Sequence, residues 1–305
     1  MKRYLYLLMV VCTVIACAST KTKNSMTTNV FDFEAHRGGR GLMPENTIVA
    51  MRNAVNIKEV QTLEMDVHIT KDGQVVVSHD PYFNPLITTT PEGKYLSAQE
   101  AQKTILYQLN YADIKKYDVG MKPHPDFPRQ QKTAAYKPLL VDLVDAAEAE
   151  ASSKQRTIHY NIEIKSKKAT DNINHPEPEL FVEKLVTVLK QKKILDRCVI
   201  QSFDPRPLQV LHKNYPGIKT SFLIDRDGAD KVAEQISKLG FTPDIYSPTY
   251  STVTQQVIDA CHANKMKIVP WTVNTKDEIQ KLVDMGVDGI ISDYPDLFSQ
   301  IRSGR

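Results

Sequence analysis

Cysteine is scarce in this chain, and the positions of the few that exist exclude a fold held together by disulfides. Of the four cysteines in 305 residues, Cys12 and Cys17 lie near the N-terminus. The other two, Cys198 and Cys261, fall in an apolar strand-like run and in a helical pattern. Two buried free thiols are therefore favoured over one bridge, and a small disulfide scaffold is excluded.

Glycine and proline are also few, and neither sign of charge dominates. The chain has 12 Gly and 17 Pro with 41% hydrophobic residues, which excludes a fibrous chain and a wholly disordered one. Lys and Arg number 39 and Asp and Glu 36, so the formal charge of +3 does not indicate a nucleic-acid partner. The composition is that of a globular protein with a sizeable core.

Long apolar runs are absent except at the N-terminus, where residues 4–16 follow Lys2 and Arg3. This run is too short to span a bilayer, so residues 1–16 are predicted to form an export signal peptide. It ends in Val14-Ile15-Ala16-Cys17, which resembles the lipobox of bacterial lipoproteins, in which the cysteine is lipidated. An ordinary signal peptide with an incidental cysteine is the alternative.

The small polar residues that follow indicate how the chain is organised beyond the signal. Residues 17–29 are predicted to be the lipidated Cys17 and a flexible tether, and residues 30–305 the folded domain. The protein is therefore expected to be exported and anchored to a membrane, in the periplasm or at the cell surface. Nothing in the sequence indicates an oligomeric state.

From residue 30 onward, short β-rich runs alternate with amphipathic helical patterns, which is typical of βα units around a parallel sheet. The candidate strands cover residues 30–36, 62–68, 157–165, 198–203, 219–224, 244–247, 267–273 and 289–293. Eight βα units in order predict an α/β fold of the (β/α)8 TIM barrel type. An open doubly wound sheet is the alternative, but it usually has fewer strands, and no GxGxxG follows the first strand.

One segment, residues 80–137, breaks the alternation and is rich in Pro, Tyr and polar residues. It follows a turn at Lys71-Asp72-Gly73 and a short β-rich run after the second strand. We interpret it as a small insertion subdomain, because it is too long to be a simple loop. Loops after barrel strands carry the active site, so the insertion is expected to lie over the catalytic face.

Polar residues gather at the ends of the first three predicted strands. Glu64 and Asp66 alternate along one strand, and Glu163 shares a strand face with Asn161 and Lys165. Three carboxylates on adjacent strands form a hard-oxygen site that suits Mg²⁺ or Ca²⁺ and suits zinc poorly. The alternative is a buried ion network in which Glu163 pairs with Lys165 or Arg37.

For six of the eight histidines, the sequence position alone predicts the location. His68 has the parity of Asp66 and lies at the strand end, so it is a candidate for contact with the site. His159 is expected to be a core histidine. Four others are expected at the surface, namely His124, His175, His212 and His262.

A series of motifs resembles, in its order, that of the glycerophosphodiester phosphodiesterase family, over residues 31–298. The motifs are His36-Arg37-Gly38, Pro44-Glu45-Asn46-Thr47, Glu64-Met65-Asp66-Val67 with Thr70-Lys71-Asp72-Gly73, His79-Asp80, Asn161-Ile162-Glu163-Ile164-Lys165, Ser202-Phe203-Asp204, Trp271-Thr272-Val273-Asn274 and Gly286-Val287-Asp288-Gly289. Two of these motifs alone arise easily by chance, but the ordered set does not.

The resemblance implies a barrel enzyme that hydrolyses glycerophosphodiesters to glycerol 3-phosphate and an alcohol with one divalent cation. By position it implies that Glu64, Asp66 and Glu163 are metal ligands, His36 and His79 an acid/base pair, Arg37 and Lys165 phosphate contacts, Glu45 a carboxylate at the metal and glycerol site, and Phe203 and Trp271 the lining of the glycerol pocket. Export into a calcium-containing compartment favours Ca²⁺ over Mg²⁺ without deciding between them.

Two other classes of function remain open from the sequence. A related barrel phospholipase would act on an intact lipid and would need an apolar rim beside the site, whereas the insertion is polar in sequence. A non-catalytic surface lipoprotein would normally lack one of His36, His79, Glu64, Asp66 or Glu163, and all five are present.

Overall fold

Eight parallel strands and one antiparallel strand form a single sheet among the residues that the structure describes. The structure is a computed structural model that describes Met1 and residues 31–302. The predicted signal peptide beyond Met1, Cys17 and the tether lie outside the described residues. The strands are β1 (Asp32–Ala35), β2 (Thr62–Ile69), β3 (Val75–Val77), β4 (His159–Ile164), β5 (Cys198–Ser202), β6 (Lys219–Ile224), β7 (Ile245–Pro248), β8 (Lys267–Ile268) and β9 (Gly289–Ser292).

Helices follow the strands as the periodicity predicts. They are α1 (Ile48–Val55), α2 (Ala98–Ala101), α3 (Tyr111–Ile114), α4 (Leu140–Ser153), α5 (Pro178–Lys192), α6 (Pro205–Asn214), α7 (Val232–Leu239), α8 (Gln255–Ala263) and α9 (Lys276–Met285). Local sequence sets their ends. For example, the Thr275 hydroxyl accepts from the Glu278 N–H at the start of α9, and Gly286 ends that helix with a φ of 97°, which glycine adopts without a Cβ penalty. For the last of the eight βα units, the sequence pattern predicts an α-helix near residues 295–302, but this segment forms a 3-10 helix at Pro295–Gln300.

The parallel strands close into a barrel, which confirms the predicted (β/α)8 fold. The strand order runs from β8 through β7, β6, β5, β4, β2 and β1 to β9. Between β9 and the β8 side, the N–H groups of Asp288 and Ile291 donate to the carbonyls of Ile268 and Pro270. The regular ladder of β8 ends at Ile268 rather than at residue 273, because Pro270 has no N–H to donate.

Strand alternation separates the barrel core from a polar lumen. In β2 the apolar residues Leu63, Met65 and Val67 are fully buried in the main core cluster, and alternation places Glu64 and Asp66 on the other face. Burying side chains of this size stabilises the fold by about 1.5–3 kcal/mol each. Glu64 and Asp66 are thus held on a strand whose opposite face is fixed by packing.

The insertion has a small core of its own. A second cluster of buried residues, distinct from the barrel core, forms between β3 and α4 and includes Phe83, Leu106 and Ile114. Backbone and side-chain contacts tie the segment back to the barrel: Gln130 Nε2 donates to the Arg40 carbonyl, and Gln131 N–H to that of Leu42. The insertion therefore crosses the loop that follows β1.

Three further observations bear on the sequence predictions. Cys198 and Cys261 are both buried and free, which confirms two thiols rather than a bridge. The expectation for His159 was wrong: it is exposed, because it opens β4 at the barrel's N-terminal end. His175 was also predicted wrongly: its ring is buried, since the loop after β4 folds around it and Lys167 N–H donates to its Nε2 at 2.9 Å.

Among the helices in the described part of the chain, none combines the length and the apolar composition needed to cross a membrane.

Candidate active site

The carboxyl end of the barrel collects the predicted site residues, beginning with the turn after β1. His36–Gly38 form one turn of 3-10 helix in which Arg37 has a left-handed φ of 51°. This backbone points the Arg37 N–H at Glu64 Oε2, 2.7 Å away. The Arg37 guanidinium meanwhile donates to Glu45 at 3.0 Å and lies 3.4 Å from Asp66. One residue thus links three carboxylates.

Three carboxylates lie at the centre of this arrangement. Strand register places Asp66 directly beside Glu163, and Glu64 is one pleat earlier on β2. One oxygen of each of Glu64, Asp66 and Glu163 lies within 4.8 Å of the others. All three side chains are buried. The sequence prediction that strand parity brings these groups together agrees with this geometry.

Burial and neighbouring charges shift the pKa values of the three carboxyl groups strongly. Burial raises the pKa of Glu64 well above its usual value, and the neighbouring Asp66 raises it further. Burial also raises the pKa of Glu163 to about 7, against the opposing charge of Lys165. Burial acts to raise the pKa of Asp66 too, but Arg37, His79 and Lys165 outweigh it and hold that pKa far below the ordinary range. The neighbouring cations therefore do not fully balance the negative charge of the three carboxylates.

The wider cluster carries an excess of negative charge. Its carboxylates are Glu45, Glu64, Asp66, Asp80, Glu163 and Asp293, and its cations are Arg37, Arg40, Lys137 and Lys165. With all of them ionised and the histidines neutral, two negative charges are unbalanced. An all-oxygen donor set with this imbalance fits one divalent cation such as Mg²⁺ or Ca²⁺.

His36 lies against a buried carboxylate at the barrel wall. Its Nδ1 is 2.5 Å from Asp293 Oδ1, and its Nε2 is 3.9 Å from Glu64 Oε2. Burial lowers the pKa of His36 to about 4, although Asp293 acts to raise it. The imidazole is therefore neutral at pH 7, the form that can accept a proton.

His79 reaches the site from the segment after β3 and is less enclosed. Its Nδ1 lies 3.0 Å from Asp80 Oδ1, and its side chain is 31% exposed. His68 is fully buried beneath it, with its Nε2 3.1 Å from the His79 carbonyl. Burial lowers the pKa of His68 to about 3, so the neutral ring donates from Nε2 to that carbonyl. His68 supports His79 through the backbone and does not itself line the cavity.

Lys165 and two aromatic residues complete the cavity, which has a volume of about 100 Å³. Lys165 Nζ lies 3.0 Å from Glu163 and 3.8 Å from Asp66. On the other wall, Phe203 and Trp271 meet edge to face with ring centroids 5.4 Å apart. Trp271 is held there because its Nε1 donates to the Ser247 carbonyl. The cavity thus has a cationic and acidic floor and an aromatic wall.

A comparison with known families agrees with this arrangement. The model of the glycerophosphoryl diester phosphodiesterase family matches residues 36–297. The chain belongs to this family. The resemblance found in the sequence motifs is therefore confirmed, and so is the prediction of a phosphodiesterase.

Relatives of this phosphodiesterase match it over nearly their whole length. A glycerophosphodiester phosphodiesterase from Bacillus altitudinis is 30% identical, over 88% of this chain and 96% of its own. A crystal structure from Silicibacter pomeroyi superposes with a TM-score of 0.78 at 26% identity, covering 89% of this chain and 92% of that one. A phosphodiesterase from Oleispira antarctica, solved in complex with the product sn-glycerol-3-phosphate, superposes with a TM-score of 0.69 at 21% identity, over 88% of this chain and 95% of that one.

Within the described part of the chain, all predicted site residues of the phosphodiesterase lie in or against this cavity; Cys17 lies outside the described residues. Glu45 bridges Arg37 and Arg40 beside it. Sequence reasoning missed several residues at the cavity, including Arg40, Gln201 and Asp293. Gln201 Nε2 donates to Glu64 Oε1 at 2.8 Å, and Asp293 accepts from His36. The signal for Gln201 was its inward parity on β5, whereas Asp293 was visible only as a carboxylate at the end of the last predicted strand.

Proposed function

We propose that this chain hydrolyses glycerophosphodiesters to glycerol 3-phosphate and an alcohol, using one divalent cation, Ca²⁺ or Mg²⁺, held by Glu64, Asp66 and Glu163. The observation that carries the proposal is the buried carboxylate triad at one cavity. Glu64 and Glu163 line this cavity together with His36, His79, Arg37 and Lys165, and Asp66 lies against Arg37 and Lys165. Family membership supports the reaction class, and the raised pKa values of Glu64 and Glu163 support a cation between them.

The phosphate would bind where positive charge faces the cavity. Arg37 and Lys165 are both largely buried and are held rigidly by carboxylates, so they need little reorganisation to meet an anion. Negative charge on the equatorial oxygens grows during attack at phosphorus, and fixed cations stabilise that state more than the ground state. A bound divalent cation would add positive charge at the same place.

His36 and His79 would carry out the two proton transfers of the reaction. Hydrolysis requires one proton to leave the attacking hydroxyl and one to reach the departing alcohol. His36 and His79 come from different loops and both line the cavity. Two imidazoles can carry both transfers near neutral pH.

The internal 2-hydroxyl of glycerol is the nucleophile we favour over a free water. Glu45 lies beside the cavity with its carboxylate held by Arg37 and Arg40, where it can accept a hydrogen bond from a glycerol hydroxyl. A hydroxyl oriented in this way has a high effective concentration, which in well-oriented cases is worth about 7 kcal/mol or more of the barrier. A cyclic phosphate would form first and then open by hydrolysis.

A lipid substrate is the second candidate, and exposed apolar residues of the insertion favour it. Leu86, Tyr95 and Met121 are 45%, 62% and 51% exposed, respectively. The Lys122 ammonium lies over the Tyr95 ring and donates to the carbonyl of Pro85, the residue before Leu86. These three side chains expose apolar area on the insertion, which a lipid substrate would require.

One substrate panel separates these candidates. The protein is incubated with glycerophosphocholine, glycerophosphoethanolamine, glycerophosphoinositol and a long-chain phospholipid, each with chelator, Ca²⁺ or Mg²⁺. We expect release of glycerol 3-phosphate from the glycerophosphodiesters and none in chelator. Cleavage of the long-chain lipid alone would favour the phospholipase, and no cleavage of any substrate would refute both.

Export and membrane anchoring are part of the proposal and rest on the sequence pattern at Cys17 alone. Lipoprotein processing supplies more than one acyl chain, which is what stable attachment requires. The domain would then act on diesters released near a membrane surface.

A further inference from the structure

The last strand of the barrel ends beside the first, and this brings an unassigned carboxylate to His36. The ladder between β1 and β9 pairs Ala35 with Ser292. The next residue on each strand, His36 and Asp293, therefore meet at the carboxyl end of the barrel, although 257 residues separate them in sequence. Asp293 is 1% exposed, so its contacts are not shared with solvent.

Every contact of the Asp293 carboxylate is with a donor. Oδ1 accepts from Arg40 Nε at 2.7 Å as well as from His36 Nδ1. Oδ2 accepts from Asn274 Nδ2 at 2.7 Å. The orientation of the Asn274 amide is itself fixed, because its Oδ1 accepts the Asp293 backbone N–H at 2.9 Å. The carboxylate can only accept here, so the proton between it and His36 belongs to the imidazole.

We infer that Asp293 is a positioning residue that holds His36 with its proton on Nδ1 and its Nε2 lone pair directed into the cavity. The inference rests on the proposed function and adds to it the residue that makes one of the two proton carriers competent. A neutral imidazole has one protonated nitrogen, and the hydrogen bond at the other end of the ring selects which one. Without Asp293, the imidazole proton can move from Nδ1 to Nε2, and Nε2 can then no longer accept a proton from the substrate.

The second histidine–carboxylate pair of this strand offers a matched control. His262 Nε2 lies 2.8 Å from Asp288 Oδ2, just before β9 and at the opposite end of the barrel from the cavity. Asp288 also accepts a backbone N–H, from Ile268. The two aspartates flank β9, so replacing either by asparagine removes one buried charge next to the same strand, but only Asp293 contacts residues that line the cavity.

The test uses Asp293→Asn, with Asp288→Asn as the control. An asparagine of the same shape must place its NH₂ group opposite a donor on either side, because both carboxylate oxygens of Asp293 accept. We expect kcat of Asp293→Asn to fall at least about 10²-fold, since the comparable substitution in a serine protease triad costs about 10⁴. KM and the affinity for Ca²⁺ should stay within about twofold, and Asp288→Asn should keep the wild-type kcat.

A direct readout is the nitrogen NMR spectrum of the wild-type protein with ¹⁵N-labelled histidine. The His36 signals should show a protonated Nδ1 and an unprotonated Nε2, and this assignment should weaken or reverse in Asp293→Asn. A wild-type His36 protonated on Nε2 would overturn the inference even if the variant does not fold, and so would an unchanged kcat in a folded variant. Absence of hydrolysis by the wild type refutes the proposed function instead, and leaves the measured tautomer standing.

Discussion

Replacing Glu163 by glutamine should stabilise the metal-free protein above neutral pH. Burial raises the pKa of Glu163 from 4.5 to about 7, which means that the folded state disfavours its ionised form. The penalty is absent below pH 4.5, grows as the pH rises, and is complete above pH 7. The difference between the two pKa values lowers the free energy of unfolding by about 3 kcal/mol at pH 8. Glutamine cannot ionise, so Glu163→Gln avoids the penalty.

The assay is thermal unfolding in chelator at pH 5 and pH 8. For a domain of this size, 3 kcal/mol shifts Tm by about 6 °C, so Glu163→Gln should unfold about 6 °C above the wild type at pH 8 and near it at pH 5. With saturating Ca²⁺ the order should reverse. At a concentration of 1,000 Kd the ion stabilises the folded wild type by about 4.1 kcal/mol, which exceeds the difference of about 3 kcal/mol, whereas the variant has lost one of the proposed ligands.

The matched control is a glutamate whose pKa is shifted in the opposite direction. Glu148 on α4 pairs with Arg197 at 2.9 Å, and its pKa is lowered overall by Arg197 and Tyr160 although burial opposes this. Glu148→Gln should therefore not raise Tm at pH 8. If Glu163→Gln in chelator unfolds at or below the wild-type temperature at pH 8, the triad is not electrostatically strained, and its charge does not call for a cation.

Three other outcomes follow from the site and the sequence. Glu64→Gln should lower both the affinity for Ca²⁺ measured by calorimetry and the activity, and excess Ca²⁺ should partly restore the activity; full activity in chelator would remove the metal assignment. A 2-deoxy glycerophosphodiester should turn over at least about 10³-fold more slowly at saturation, a loss of about 4 kcal/mol, whereas a comparable maximal rate would identify an external water as the nucleophile. The wild-type protein should partition with membranes and Cys17→Ser should not acquire lipid; an unlipidated wild-type mature terminus at another residue would contradict the anchor.

Strand parity explains why much of the site could be predicted from the sequence. Alternation along β2 and β4 correctly placed Glu64 with Asp66 and Glu163 with Lys165, because side chains on a strand repeat every two residues. The eight βα units were likewise visible as period-2 and period-3.6 patterns. These are local properties that each segment carries by itself.

Pairings across the closed barrel could not be predicted in this way. The contact between His36 and Asp293 depends on the register of β1 against β9, and neither strand encodes that register alone. The two mistaken histidines have the same origin. His159 and His175 were judged from their own segments, but their burial depends on where β4 begins and on how the following loop folds back.

The contact between the first and last strands also determines when the enzyme can begin to work. During synthesis the N-terminal part of a chain emerges first. β1 and His36 are therefore made early, and β9 and Asp293 are added only after nearly the entire domain has been synthesised. A growing chain that ends before β9 already contains every predicted cavity residue from His36 to Trp271, but it lacks the strand that pairs with β1 and the carboxylate that contacts His36. We therefore expect catalytic competence to be a late event of folding, and removal of the final strand should abolish activity without removing any residue that the resemblance assigns to the site.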